Sequence, residues 1–318
     1  MKIVLITPAG ARSRAGNRHT ALRWAAFLRA AGHDVAIATQ WQPDEQTELM
    51  LALHARRSHP SISAFRNMHR ARPLLLALTG TDVYRDIRVS VEARQSLRLA
   101  SAFIVLQPKA SEELAPAFRS RAHTVIQSCA TRLRQRPVTR RFRICVIGHL
   151  RDEKDPMRAL EALRFVPGNA IDLVQIGESL EQRFAVAARA AMKSEPRYRW
   201  LGSLPHARAL RWLASSHAMV ISSRMEGGAN VVSEAIRIGV PVIASRISGN
   251  LGLLGDDYAA YFAPGNTRAL AALLRRTSSD PAFCRELARH IAKLRPMVDP
   301  RSEARMLLAA LRAATASA

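Results

Sequence analysis

Cysteine, aromatic residues and lysine are scarce in this sequence of 318 residues. Its three cysteines, Cys129, Cys145 and Cys284, include no C-x-x-C pair, so neither a disulfide framework nor a zinc site is predicted. No D-x-D sequence occurs, so paired aspartates that could carry a divalent metal are missing, and we expect no metal and no cofactor. No apolar run approaches the roughly 18 residues that a membrane-spanning helix needs.

The length and composition indicate a globular chain of two domains. A typical domain has about 150 residues, and 48% of this chain is hydrophobic without any low-complexity tract. The opening MKIVLITPAG is typical of a buried first strand rather than a signal peptide, so we expect a cytoplasmic protein.

The formal charge of +23 makes nucleic acid, anionic membranes and phosphorylated small molecules possible partners. Aromatic residues make up only 5%, and the basic residues are spread out without a block, which argues against nucleic acid. Only five of the 48 basic residues are lysines, which suggests an arginine-biased genome and gives Lys154 more weight than any single arginine.

Short apolar runs alternate with amphipathic stretches in both halves of the chain. Runs such as KIVLIT, PLLLALTG, RICVIG and AMVISS predict buried parallel strands with helices between them, hence two Rossmann-like domains. The arginine-rich segment 130–142 is the predicted linker, and we place the domains at 1–135 and 136–300. Residues 301–318 have helical spacing, and could complete the second domain or return to the first.

The stretch MEGGANVVSEAIRIG contains two carboxylates, Glu226 before a pair of glycines and Glu234 in the helix predicted to follow them. We predict a helix with Asn230 as its N-cap and Gly239 as its stop. The amides at such a helix start bind anions, while Glu226 and Glu234 can accept hydrogen bonds from sugar hydroxyls. The alternative is that both acids are solvated surface residues.

A second polar motif, GHLRDEKDP, follows the first strand of the second half. Arg151 and Lys154 in this motif could neutralise a diphosphate. Solvated charge at a helix start is the alternative here as well.

Together these motifs resemble the GT-B glycosyltransferases of the large retaining family, with two Rossmann-like domains facing across a cleft. The resemblance implies that Glu226, Arg151 and Lys154 act at the reacting centre, with the two cations on the diphosphate, and that Glu234 holds the ribose. It implies a donor site made of Gly148, Gly177, Gly227, Gly228, Ala229, Asn230, Val231 and Glu234. The chain departs from the family at His149, where an arginine is usual, and at Thr79, where a histidine is usual.

In this family the first domain holds the acceptor, and here its strand ends are rich in arginine. The expected acceptor residues are Gly10, Arg12, Gly16, Asn17, Arg18, His54, Arg56, Thr81 and Asp82, with Arg14 and Arg57 adding positive charge. The chain is similar to the selenosugar synthases of selenoneine biosynthesis in four stretches, namely ITPAGARSRAGNRHTALRWAAFL, LHARRSHPSI, LTGTDVYRDI and GHLRDEKDP. This similarity implies transfer from UDP-N-acetylglucosamine or UDP-glucose to selenophosphate. Transfer to a hydroxyl acceptor, and a non-catalytic protein that binds nucleic acid or membranes, are the alternatives.

Overall fold

The computed structural model describes residues 1–10, 16–168 and 170–316. The chain divides into two compact units, of which the first comprises residues 1–127 with the helix that begins at Pro300, and the second comprises Ser128–Asp299. Each unit contains one six-stranded sheet, and both sheets are parallel throughout.

The first sheet has the strand order β2-β1-β3-β4-β5-β6. Its central strands β3 and β4 have the sequences LMLAL and LLLAL and are buried at every position, as expected for parallel strands covered on both faces. The strands are β1 (Lys2–Ile6), β2 (Asp34–Ala38), β3 (Leu49–Leu53), β4 (Leu74–Leu78), β5 (Ala102–Val105) and β6 (Ala122–Thr124).

Helices cover both faces of this sheet and create one apolar core on each side. Trp24 and Leu28 lie in one core, while Phe65 and Phe103 lie in the other. The helices are α1 (Gly16–Ala30), α2 (His59–Met68), α3 (Ile87–Val89), α4 (Val91–Leu99) and α5 (Pro116–Arg119), with irregular helical turns at Asp82–Asp86 and Pro108–Glu113.

The second sheet has the order β12-β11-β10-β7-β8-β9. Its strands are β7 (Phe142–Ile147), β8 (Ile171–Ile176), β9 (Tyr198–Trp200), β10 (Ala218–Ile221), β11 (Val242–Ser245) and β12 (Tyr261–Phe262). Its helices are α6 (Arg158–Leu163), α7 (Gln182–Ser194), α8 (His206–Ala214), α9 (Asn230–Ile238), α10 (Ser248–Leu254), α11 (Thr267–Ser279) and α12 (Pro281–Leu294), with turns at Asp152–Lys154 and Arg295–Val298. The predicted parallel α/β architecture is confirmed.

The last helix, α13 (Pro300–Ala316), belongs to the first unit. Leu307 and Leu311 are buried in the same core as Trp24. Glu303 is fully buried and accepts hydrogen bonds of 2.7 Å from Trp24 Nε1 and from Arg23 Nε. The helix therefore completes a core that begins near the start of the chain.

The segment predicted as a linker lies along the second unit. The backbone N–H groups of Gln135, Arg136 and Val138 donate to the carbonyls of Ile238, Ala214 and Ser215 at 3.1, 2.7 and 3.1 Å. These bonds satisfy carbonyls where α8 and α9 end, so the extended segment also caps two helices. No helix in the described part of the chain is both long and apolar enough to span a membrane.

Candidate functional site

The carboxyl ends of β7, β8 and β10 meet around a small cavity in the second unit. This is the edge at which open parallel sheets bind their ligands. The strands end in isoleucine, and the following residues are glycine or serine, which leave room at the edge. The polar side chains of the lining are His149, Lys154, Gln175, Ser222, Ser223 and Glu226, and Gly148 also lines the cavity.

Lys154 and Glu226 form an ion pair in this cavity. Lys154 Nζ and Ser223 Oγ both donate to Glu226 Oε1, the latter at 2.6 Å. The side chains of Lys154 and Glu226 are 22% and 9% exposed, so their interaction is only weakly screened by water. The fold thus joins two residues that lie 72 positions apart.

Ser222, the residue directly after β10, holds the turn that carries Lys154 in place. Ser222 Oγ donates to the carbonyls of Lys154 at 3.1 Å and Asp155 at 2.9 Å. Asp155 ends the turn with a φ of 45°, and its carboxylate accepts a hydrogen bond of 2.8 Å from Arg158 Nε. Aspartate tolerates this left-handed conformation better than most residues do.

Gly249 packs directly against the backbone carbonyl and the Cβ atom of Glu226. A Cβ atom at Gly249 would stand 2.1 Å from the Glu226 carbonyl oxygen and 2.9 Å from its Cβ, so only glycine fits. Ser245 Oγ donates to the Ser223 carbonyl at 2.5 Å, and Asn250 Nδ2 donates to the Ser245 carbonyl at 2.9 Å. These supporting residues were not predicted, although the sequence SRISGNLG carries the glycine and asparagine that could have indicated a close backbone approach.

Gly148 and Gly177, both predicted to bind the donor, contact each other. Gly177 has a φ of 151°, and a Cβ atom there would lie 1.9 Å from the Gly148 carbonyl oxygen. A Cβ atom at Gly148 would meet only Lys154 Cδ, at 3.9 Å. The structure therefore requires glycine at position 177 for packing, whereas the direct contact of either residue with a ligand stays a prediction.

Helix α9 begins beside Glu226, after Gly227 and Gly228. Asn230 is the first residue of the helix and Ala229 is its N-cap, so the predicted Asn230 cap is wrong by one residue. The side chain of the N-cap residue Ala229 forms no cap hydrogen bond, and the positive end of the helix dipole lies at this start. Gly239 ends the helix with a φ of 99°, as predicted.

Glu234 lies one turn into α9, on the stretch that also carries Val231. Its side chain is 14% exposed, and its Oε1 lies 2.8 Å from Nε2 of His206, the first residue of α8. The ring of His206 therefore orients this carboxylate, a contact that sequence spacing did not indicate.

Arg151 and His149 complete the loop after β7. Arg151 Nε lies 3.8 Å from Glu153 Oε2, and the arginine side chain is 37% exposed. Burial lowers the pKa of His149, which favours its neutral form, and its Nδ1 has no hydrogen-bond partner among the described residues. Lys154 contacts Glu226 directly, whereas Arg151 is turned towards Glu153.

In the first unit, the loop after β4 is organised by Asp82. Its buried carboxylate accepts hydrogen bonds from the backbone N–H groups of Thr79, Gly80 and Ala55, at 2.7 to 3.1 Å. Asp82 therefore ties the loop after β4 to the loop after β3. Its direct contact with an acceptor stays a prediction.

The buried carboxylate of Asp86 gathers three further side chains at the same edge. It accepts hydrogen bonds from Arg56 Nε at 2.9 Å and Arg85 Nε at 3.1 Å, and its Oδ2 lies 3.8 Å from Nε2 of His54. His54 and Thr81 are also joined, with 3.2 Å between Nε2 and Oγ1. The structure thus brings together four of the predicted acceptor residues: His54, Arg56, Thr81 and Asp82.

The remaining predicted acceptor residues lie around the start of α1. Gly10 follows β1 and is exposed, while Gly16, Asn17 and Arg18 open the helix. Arg12 and Arg14 lie outside the described residues. No contact joins Gly10, Asn17 or Arg18 to His54 or Asp86 among the interactions of the described part, so the predicted acceptor residues do not form one bonded group there.

A comparison with family models matches residues 131–294 to the glycosyl transferases group 1. This range covers just over half of the 318 residues and includes every candidate residue of the second unit. The chain belongs to this family. Over 161 residues it is 30% identical to glycogen synthase of Mycobacterium tuberculosis, a match that covers 49% of the chain and 38% of that relative. The matched part is thus little more than a third of the relative's length.

Solved structures extend the likeness over both units. The Anabaena protein HepE, solved with UDP and glucose, has a TM-score of 0.78 at 16% identity and covers 98% of this chain and 99% of its own. Sucrose-phosphate synthase from Thermosynechococcus elongatus has a TM-score of 0.77 at 16% identity, with full coverage of both chains. At this identity the likeness shows the fold, which confirms the predicted GT-B class.

Proposed function

We propose that the protein is a glycosyltransferase that takes its sugar from UDP-N-acetylglucosamine or UDP-glucose and transfers it to selenophosphate, with release of UDP. The observation that carries the proposal is the Lys154–Glu226 pair, which lies in the cavity at the strand ends, close in sequence to the start of α9. The similar protein HepE, which has been solved with UDP and glucose and with UDP-glucose, supports the choice of donor.

The diphosphate of the donor fits the start of α9 and Lys154. An ammonium group has three protons, and only one is needed for Glu226, so the others can bind phosphate oxygens. Negative charge grows on the diphosphate as the bond to the sugar breaks, and nearby cations and helix amides stabilise it. Arg151 is the second cation in this proposal.

The two carboxylates suit the sugar and the ribose. The hydrogen bonds to Glu226 reach Oε1, so Oε2 can accept from a sugar hydroxyl. Glu234, oriented by His206, can accept from both hydroxyls of the ribose.

Selenophosphate as the acceptor rests on the resemblance to selenosugar synthases and on the arginines of the first unit. A selenium lone pair attacks the anomeric carbon, the C–Se bond forms, and the C–O bond to UDP breaks with its electron pair leaving on UDP. Selenophosphate is already anionic at neutral pH, so no proton has to be removed from it. Thr79, which stands where the family usually has a histidine, is compatible with such a nucleophile.

The test is to incubate the protein with each UDP-sugar, with and without selenophosphate, and to follow UDP and selenium-bearing sugars by mass spectrometry. We expect UDP release and a selenosugar only when selenophosphate is present. Phosphate and a hydroxyl acceptor serve as competing substrates. Transfer to the hydroxyl acceptor alone would overturn the selenophosphate assignment, and retention on DNA without any UDP release would overturn the enzymatic one.

The donor site is tested by Glu234→Gln, which keeps the shape of the side chain and removes its charge. We expect UDP to bind about tenfold more weakly, because hydrogen bonds to charged groups are the strong ones. Glu286→Gln, at an exposed position on α12, is the matched control. Equal UDP affinity of both variants in calorimetry would contradict the site.

A further inference from the structure

His54, at the end of β3, combines burial with an unusual backbone. It is 3% exposed and has a φ of 78°, in the left-handed region that only a few per cent of non-glycine residues adopt. Such strain persists only where surrounding contacts fix it, and it is concentrated at functional sites. The contacts of His54 therefore indicate what the strained position achieves.

Those contacts determine which ring nitrogen carries the proton. The backbone N–H of Arg57 donates to His54 Nδ1 at 3.3 Å, so Nδ1 is an acceptor and the proton of the neutral ring is on Nε2. Nε2–H then donates to Thr81 Oγ1 at 3.2 Å. Burial also lowers the pKa of His54, which favours this neutral form.

The direction of this bond leaves the Thr81 proton for another partner. Because Thr81 Oγ1 accepts from His54, its own O–H points elsewhere, and the described residues offer it no acceptor. Thr81 is only half-buried, so a ligand can reach it. Its hydroxyl is thus held as a donor.

Arg56 belongs to the same group of side chains, because Arg56 Nε and His54 Nε2 both lie near Oδ2 of Asp86, at 2.9 and 3.8 Å. Its Nε is fixed by the buried Asp86, while its side chain is 43% exposed and its terminal nitrogens have no partner within the described residues. A guanidinium anchored through Nε presents its outer N–H groups to an oxyanion. Asp82 does not bind these outer N–H groups of Arg56, because its carboxylate accepts hydrogen bonds from three backbone N–H groups instead.

We propose that Thr81 and Arg56 bind one tetrahedral oxyanion of the phosphate class, and that His54 is the positioning residue that aims the Thr81 hydroxyl at it. The inference rests on the proposed function, in which this oxyanion is the phosphoryl end of the acceptor. The phosphates of the donor are the other source of the same chemistry, and UDP binding distinguishes the two.

The test uses Thr81→Val, Thr81→Ser and His54→Asn, since asparagine tolerates a positive φ. Arg98→Gln, which removes an exposed positive charge from α4, is the control. We expect Thr81→Val and His54→Asn each to raise the KM for selenophosphate about tenfold or more, with kcat within about twofold. Thr81→Ser and Arg98→Gln should resemble the unmodified protein, and UDP affinity should not change.

The double variant isolates the role of His54. If His54 acts through Thr81, adding His54→Asn to Thr81→Val has no further effect on KM, whereas a purely structural role predicts additive losses. Calorimetric titration with sulfate, which does not change its charge between pH 5 and 9, tests the oxyanion site without turnover. Loss of sulfate affinity in Thr81→Val supports the site even if selenophosphate is no substrate. Unchanged sulfate affinity in Thr81→Val, or weakened UDP binding, would overturn the oxyanion site. Additive losses in the double variant would overturn the positioning role of His54.

Discussion

Replacing Gly249 with alanine is expected to displace Glu226 without touching a ligand. The new methyl group would stand 2.1 Å from the Glu226 carbonyl oxygen, and it would have to move by roughly an ångström or more to reach normal contact. Both residues are buried, so the strain cannot be relieved towards solvent. Overpacking of this kind costs about 1 to 3 kcal/mol.

The magnitude for catalysis follows from the displacement. A misplacement of about 1 Å can lower a rate by about a hundredfold, so we expect kcat/KM for the UDP-sugar to fall by about 10- to 100-fold in Gly249→Ala. The affinity for free UDP should change less, because UDP lacks the sugar that Glu226 is proposed to bind. Steady-state kinetics, calorimetry with UDP and a thermal melt separate these effects.

Ser248→Ala is the control, since it changes the preceding residue of the same helix, whose side chain makes no hydrogen bond in the described structure. It should leave kcat/KM within about twofold. If Gly249→Ala retained full activity with a lowered melting temperature, the position of Glu226 would not govern transfer, and its assignment to the donor sugar would be wrong.

Three further predictions concern charge and burial. Lys154→Met leaves the Glu226 carboxylate without its cation, so we expect kcat/KM to fall at least about a hundredfold, with partial recovery in Lys154→Arg; equal losses in both would contradict a role of charge. Glu303→Ala removes the buried acceptor of Trp24 Nε1, and urea unfolding should show a loss of about 3 to 5 kcal/mol, against almost none for the exposed Arg305→Ala. Burial lowers the pKa of several histidines, so the folded chain binds fewer protons than the unfolded chain below pH 6.5, and the melting temperature should fall as the pH is lowered from 6.5 towards 5; a constant melting temperature over that range would contradict it. These histidines are His33, His54, His149 and His217.

The sheets were predictable from the sequence because central parallel strands are buried on both faces and therefore appear as continuous apolar runs, such as LLLAL in β4. The short edge strand β12, with two residues, carries no such run and was missed. The predicted N-cap at Asn230 failed because residue type alone does not give the backbone angle of Ala229.

The candidate site could be predicted only in part. Residues next to strand ends, such as Lys154 and Glu226, were identifiable because sheet topology places them at one edge. The need for glycine at position 249 depends on a clash with a residue 23 positions earlier, and the tautomer of His54 depends on the Arg57 amide. Both are properties of close packing that no periodicity in the sequence encodes.

The return of α13 to the first unit has a consequence for how the protein is made. Residues 300–316 leave the ribosome only after the whole second unit has been synthesised. Until then the face of the first sheet that α13 covers stays exposed, and Trp24 lacks its hydrogen-bond acceptor Glu303. The second unit, which is continuous in sequence, can fold during that interval. During synthesis the second unit can therefore complete its core before the first unit does.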